Sequence, residues 1–236
     1  MIRTVAETGS TNADLIALLS AGERVGEGDW LVADRQTAGR GRQGRTWFDG
    51  HGNFMGSTVV HTAPNDPPAH SLALVAGLAV YEAIQPLCPN PSALMLKWPN
   101  DVLLAGAKLC GILLERAGDA VVIGIGVNLA AAPDLPDRRT VALSSLGPAP
   151  DRDSFAAQLA ASLDRELERW RTFGLAPIIR RWLAVGTPEG TVLTVHEPDG
   201  GVLAGQFAGL DGEGTLRLRL EDGSVRAIHA GDVMLA

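Results

Sequence analysis

The sequence predicts an α+β protein: a mixed or antiparallel sheet flanked by helices over residues 1–186, then a small all-β barrel over residues 187–236. Three observations carry that expectation. Up to Gly186, β-rich runs are interspersed with helical apolar patterns, and two runs flank a hairpin-like turn at Ala105-Gly106. After Gly186 only short strands remain, with Gly-Asp turns recurring about every ten residues, the pattern of a small β module. The chain is 236 residues long and 46% hydrophobic, which suits one large domain with a small companion. A companion of about 50 residues is marginal alone, so it is expected to pack on the main domain.

In chain order, Thr4 to Thr8 reads as a strand. Leu15, Leu18 and Leu19 lie on one helix face, which Ser10, Thr11 or Asn12 caps and Gly22 ends. Trp30 to Gln36 and Asn53 to Thr62 are strands. Leu72, Val75, Ala76, Ala79, Val80 and Ala83 form a core helix closed by Pro86. Leu94 to Trp98 is a strand ending at Lys97-Trp98-Pro99-Asn100-Asp101, where Pro99 interrupts a sheet ladder. With the turn at Ala105-Gly106, Asp101 falls opposite Cys110 and Gly111, and Lys108 beside Leu103. Leu109 to Leu114 is a strand in which Gly111 marks a close approach by ligand or backbone. Ala120 to Asn128 is the most apolar strand. Phe155, Leu159, Leu163, Leu167 and Trp170 trace a long amphipathic helix, and a shorter one covers Pro177 to Val185. Strands follow at Thr191 to His196, Val202 to Leu210, Thr215 to Leu220, Val225 to His229 and Val233 to Leu235.

The net charge of −7 argues against nucleic acid as the main partner, because phosphate-backbone binding needs a broad basic face. Cys88 and Cys110 have no metal or redox spacing, there is no apolar leader, and no run approaches a membrane span, so the expected compartment is cytoplasmic.

Against that acidic background, Gly39-Arg40-Gly41-Arg42-Gln43-Gly44-Arg45-Thr46-Trp47 packs three arginines between glycines. Glycine lets a ligand approach the main chain, and the arginine forks suit carboxylate or phosphate. The stretch reads as a mobile loop that closes over a small anion. It is not a phosphate-binding P-loop: Arg45 stands where lysine belongs, and Trp47 to Asn53 is too glycine-rich to open a helix. Nor is Gly124-Ile125-Gly126-Val127-Asn128 a dinucleotide fingerprint, for want of a third glycine.

Taken in order, Gly9-Ser10-Thr11-Asn12, Gln36 to Trp47, Lys97 to Asp101, Lys108 to Leu113 and Gly124 to Asn128 resemble the biotin protein ligases. The resemblance covers essentially the whole chain. It implies a catalytic domain like that of class II synthetases with an SH3-like C-terminal barrel. It also implies a two-step reaction: biotin and ATP give biotinyl-5′-AMP, and a lysine of a biotin carboxyl carrier domain then takes the biotin. By this resemblance Ser10, Thr11, Asn12, Gln36, Gly39 and Gly111 bind biotin. Arg40, Gly41 and Arg42 close over the carboxylate and adenylate, and Lys97 reaches the reacting oxygens, so that Arg40, Arg42 and Lys97 are the catalytic set. Arg45, Trp47, Asn100, Asp101, Lys108 and Asn128, with Arg42, bind the nucleotide, and Asp101 ligates Mg²⁺. Neutralising two anions at the reacting centre is the task these cations suit. Many bacterial members carry an N-terminal helix-turn-helix; motifs beginning at Ser10 leave no room for one, so no repressor role and no DNA or membrane partner is expected. A monomer or weak homodimer is expected. The alternatives are a lipoate protein ligase and a non-catalytic small-anion binding module.

Overall fold

The computed structural model describes residues 1–197 and 200–235. Residues 198, 199 and 236, part of the expected 187–236 module, lie outside the described residues.

The first sheet has seven strands: β1 (Ile2–Thr8), β2 (Trp30–Gln36), β3 (Phe54–His61), β4 (Leu94–Lys97), β5 (Asp101–Leu104), β6 (Ala107–Ala117) and β7 (Ala120–Val127). Their order is β1-β2-β3-β7-β6-β5-β4. Only β1 and β2 run parallel, so the sheet is mixed, as expected. The β5–β6 turn is the anticipated one: Ala105 and Gly106 take φ of 49° and 76°, the left-handed pair a two-residue hairpin needs. That turn sets Leu103 opposite Lys108, and a register shift between Val102 and Leu103 then pairs Asp101 with Gly111 rather than Cys110.

Side-chain parity assigns the two sheet faces. Val32, Phe54, Val60, Val121, Ile123 and Ile125 join the large core. On that face lie α2 (Leu72–Ile84), α3 (Arg152–Phe173) and α4 (Leu175–Val185). Helix α2 is apolar nearly all round because it is enclosed between sheet and helices. Leu31, Val59 and Val122 point the other way and meet Leu15 of α1 (Thr11–Ser20).

The second sheet contains β8 (Val192–His196), β9 (Val202–Leu210), β10 (Leu216–Arg219), β11 (Val225–Ile228) and β12 (Asp232–Leu235), in the order β11-β10-β9-β8-β12. All five anticipated strands are present. The sheet order places β11 and β12 at opposite ends. Leu193, Val195, Phe207, Leu216, Leu218 and Val233 belong to the same apolar cluster as the first sheet. Trp182 of α4 packs against Phe207 with ring centroids 6.5 Å apart, and Trp98 Nε1 donates to Gly214 O at 3.0 Å. The small module is therefore packed on the main one, as its size requires.

Candidate active site

A cavity of about 530 Å³ opens on the α1 face of the first sheet. Its floor is low because glycine replaces side chains there. A Cβ on Gly124 would overlap the Asn12 amide, one on Gly126 the Trp47 ring, and one on Gly111 would come within 2.8 Å of that ring.

One end of the cavity is neutral and polar. Ser10 caps α1, accepting from Ala13 N at 3.5 Å, which puts Thr11 and Asn12 in the buried first turn. Gln36 Oε1 accepts from Thr11 N at 2.7 Å. Thr11 Oγ1 lies 2.6 Å from Ser57 Oγ, and Ser57 Oγ donates to Asn12 Oδ1 at 2.5 Å. Ser10 thus caps α1 as expected, and Ser10, Thr11 and Asn12 all border the cavity.

The other end is charged. The Arg-Gly stretch folds back as a small hairpin: Trp47 N donates to Gly39 O at 2.9 Å, and Gly41 N to Arg45 O at 2.7 Å. Its tip uses left-handed backbone at Gln43 and Gly44, with φ of 57° and 72°. Arg40, Gly41, Arg42, Arg45 and Trp47 line the cavity with Asn100, Asp101, Lys108 and Asn128. Trp47 Nε1 and Asn128 Oδ1 are buried there without a hydrogen-bond partner, which marks them as groups suited to a ligand. The Lys108 ammonium stands 5.9 Å from the Trp47 ring centroid. Burial draws the Arg42 guanidinium below its usual pKa, opposed by Asp101 and Asp232.

Two expected site residues lie outside the cavity lining. Lys97, expected at the reacting oxygens, does not line the cavity: its ammonium donates to Val233 O at 2.8 Å and pairs with Asp101 Oδ2 at 3.3 Å. Asp101 stands between two lysines, and Lys108, 2.7 Å from Oδ1, is the one on the cavity side. Gly39 does not line the cavity either; its missing side chain leaves room for Trp47 O, which would lie 3.2 Å from a Cβ. Asp101, which the resemblance assigns to Mg²⁺, is buried and paired with both lysines. Burial alone would push its carboxyl up, yet Lys108 and then Lys97 hold it below the usual carboxylate range, with an ammonium on each oxygen. Among the described residues no group of three or more His, Cys, Asp or Glu is placed to hold a metal. Mg²⁺ binds through phosphate oxygens and water with one or two protein carboxylates, so a single cavity carboxylate such as Asp101 is compatible with an ATP-bound ion.

Several lining or adjoining residues have no motif to announce them, among them Ser57, Glu115, Asp232 and Arg138. Ser57 enters because β3 pairs with β7 at Gly124. Glu115 follows Gly111 and Leu113 on one face of β6. Asp232 of β12 pairs with Arg45 at 2.5 Å, and Arg138 lies 3.8 Å from the same carboxylate. Cys110 is fully buried beside the core, with its thiol pKa pushed up by burial, and packs rather than reacts.

Residues 19–128 match the family described as the Biotin/lipoate A/B protein ligase family, and residues 194–235 match the Biotin protein ligase C terminal domain. A biotin--[acetyl-CoA-carboxylase] ligase of Mycobacterium tuberculosis is 39% identical over 236 residues, covering 98% of this chain and 87% of that protein. The chain belongs to the biotin protein ligase family. A Paracoccus denitrificans ligase of the same description is 38% identical over 91% of this chain and 92% of its own length. The solved biotin protein ligase of Aquifex aeolicus, in complex with biotin and ATP, superposes with a TM-score of 0.86 at 27% identity, covering 100% of this chain and 98% of that one. Among the described residues no helix is long and apolar enough to cross a membrane.

Proposed function

We propose that this biotin protein ligase condenses biotin with ATP in the 530 Å³ cavity and then transfers biotin to a lysine of a biotin carboxyl carrier domain. The observation that carries the reading is the division of one cavity into a neutral polar end and a cationic end. Thr11, Asn12, Gln36 and Ser57 offer uncharged donors and acceptors for biotin's ureido ring. Arg40, Arg42 and Lys108 meet the carboxylate and the α-phosphate. Trp47, Asn100, Asn128 and Arg45 take the nucleotide. The division into residues 1–186 and 187–236, and the absence of a DNA partner in a chain of net charge −7, belong to the same proposal.

In the first step a biotin carboxylate oxygen attacks the α-phosphorus, the bond to the bridging oxygen breaks, and pyrophosphate leaves. In the second, the carrier lysine's neutral amine attacks the acyl carbon and AMP leaves. Two anions cannot approach in the first step unless their charge is met. Cations preorganised in a partly water-excluded cavity meet it without reorganising during the reaction. Covering the acyl-adenylate with the Arg-Gly hairpin keeps water from the mixed anhydride.

Exchange of labelled pyrophosphate into ATP is expected to require biotin. Exchange at the same rate without biotin overturns the reading, and exchange supported by lipoate but not biotin replaces it with the lipoate alternative. A carrier domain incubated with the protein, biotin and ATP is expected to gain one biotin by mass.

A further inference from the structure

The polar network at the neutral end of the cavity does not stop at Asn12. Asn12 Nδ2 donates to Glu115 Oε2 at 2.8 Å, and Glu115 Oε1 lies 3.5 Å from Arg40 Nη2. Among the described residues Glu115 is the one carboxylate paired with Arg40, the first arginine of the hairpin. Its cross-strand partner on β7 is Val122, so strand pairing gives no reason for a charge at this position.

A carboxylate can only accept, and that fact directs the whole network. Glu115 draws the amide nitrogen of Asn12, which turns Asn12 Oδ1 to Ser57. The Ser57 proton then goes to Asn12, and the single Thr11 hydroxyl proton is shared between Ser57 Oγ at 2.6 Å and Gln36 Oε1 at 3.1 Å, while Gln36 Oε1 also accepts the Thr11 N–H. One side chain thus sets the donor and acceptor pattern at the neutral end and holds the loop at the cationic end. We propose that Glu115 is a positioning residue that couples binding of the first substrate among Thr11, Asn12, Gln36 and Ser57 to closure of the Arg40–Trp47 hairpin. The proposal rests on the assignment of that polar cluster to biotin given above. A ligand that immobilises the Asn12 amide also immobilises Glu115, and the Arg40 guanidinium gains a fixed partner. Coupling of this kind is reciprocal, so closing the hairpin tightens the first substrate by the same factor.

The hairpin reports its own state, because Arg40, Arg42 and Arg45 are trypsin sites. Cleavage there is measured with and without saturating biotin, beside calorimetric biotin binding and a thermal melt. Glu115→Gln can still accept from Asn12 through its oxygen but sets an amide nitrogen against the Arg40 guanidinium. In the parent, biotin is expected to slow cleavage. In Glu115→Gln most of that protection is expected to vanish, by up to about five-fold, the scale of a partly exposed ion pair, with the melting temperature unchanged and biotin still bound. Arg40→Gln, compared with the parent by cleavage after Arg42 and Arg45 alone, is expected to lose the same protection, and the double variant no more than either single one. KM for ATP should rise in Glu115→Gln while kcat at saturation changes little, a split that a purely structural role would not produce. Equal biotin protection in parent and Glu115→Gln overturns the proposal, as does an additive double variant. A parent that binds no biotin by calorimetry overturns the cavity assignment itself, an outcome distinct from lost coupling.

Discussion

Lys108→Ala is expected to lower the rate of biotinyl-5′-AMP formation by roughly 10² or more, the scale for removing one preorganised charge donor. The Lys108 ammonium lines the cavity, 2.7 Å from Asp101 and 5.9 Å from the Trp47 ring centroid, and Gly111 beside it keeps the floor clear. Lys97→Ala is expected to change that rate only a few-fold, because the Lys97 ammonium faces Val233 O away from the cavity. Its loss falls on folding instead: Asp101 is buried, and removing one partner of a buried ion pair costs about 3 kcal/mol or more where no second partner remains. With Lys108 still in place the loss should be smaller, visible as a lowered melting temperature at nearly unchanged rate. Single-turnover adenylation and thermal melts on both variants check this. Equal rate losses in the two variants would sink the assignment of the reacting lysine to position 108.

Arg42→Gly is expected to make the adenylate but release it early. The Arg42 guanidinium donates to Asn100 Oδ1 at 3.1 Å and to Gly231 O at 3.2 Å, tying the hairpin to the β4–β5 bend and to the start of β12. Losing charge-assisted hydrogen bonds of this kind costs about 1.5–3 kcal/mol, and a new glycine adds up to ~1 kcal/mol of backbone entropy to the open state. Together they shift the hairpin roughly 100-fold towards opening. The neutral end of the cavity makes no contact with Arg42, so biotin should still bind. Escaped biotinyl-5′-AMP should then acylate lysines on proteins that are not carriers. The variant and the parent are each incubated with an unrelated lysine-rich protein, and biotin transfer is measured. Normal adenylate formation with no excess labelling would reduce Arg42 to a nucleotide contact.

The elements were legible in the sequence because local rules govern them. The Ala105-Gly106 turn places Lys108 beside Leu103, as the structure has it, and Asp101 opposite Cys110 and Gly111; a register shift between Val102 and Leu103 selects Gly111. Helix α2 declared its burial by the apolar pattern of Leu72, Val75, Ala76, Ala79, Val80 and Ala83, and the recurring Gly-Asp turns declared the second sheet. The site was legible where its residues form motifs: Ser10 to Asn12, Gln36, Arg40 to Gln43, Arg45 to Trp47, Asn100, Asp101, Lys108, Gly111 and Asn128 all border one cavity. Two lysines flank Asp101, and nothing local says which one lines the cavity; the fold puts Lys108 there. Ser57, Glu115, Arg138 and Asp232 were missed because each reaches the site only through pairing between distant segments.

By itself, then, the sequence determined the strands, helices and turns, the anion-seeking character of residues 39–47, and the likeness to the biotin protein ligases. Each of these depends on residues close together along the chain. Tertiary structure alone decided the strand order β1-β2-β3-β7-β6-β5-β4, the face on which the cavity opens, and the lysine that faces it. It also decided that β12 meets Arg42, Arg45 and Lys97. The physical reason is that side-chain direction in a sheet follows from register and parity, and the partner of a long charged side chain is whichever opposite charge the fold brings within reach.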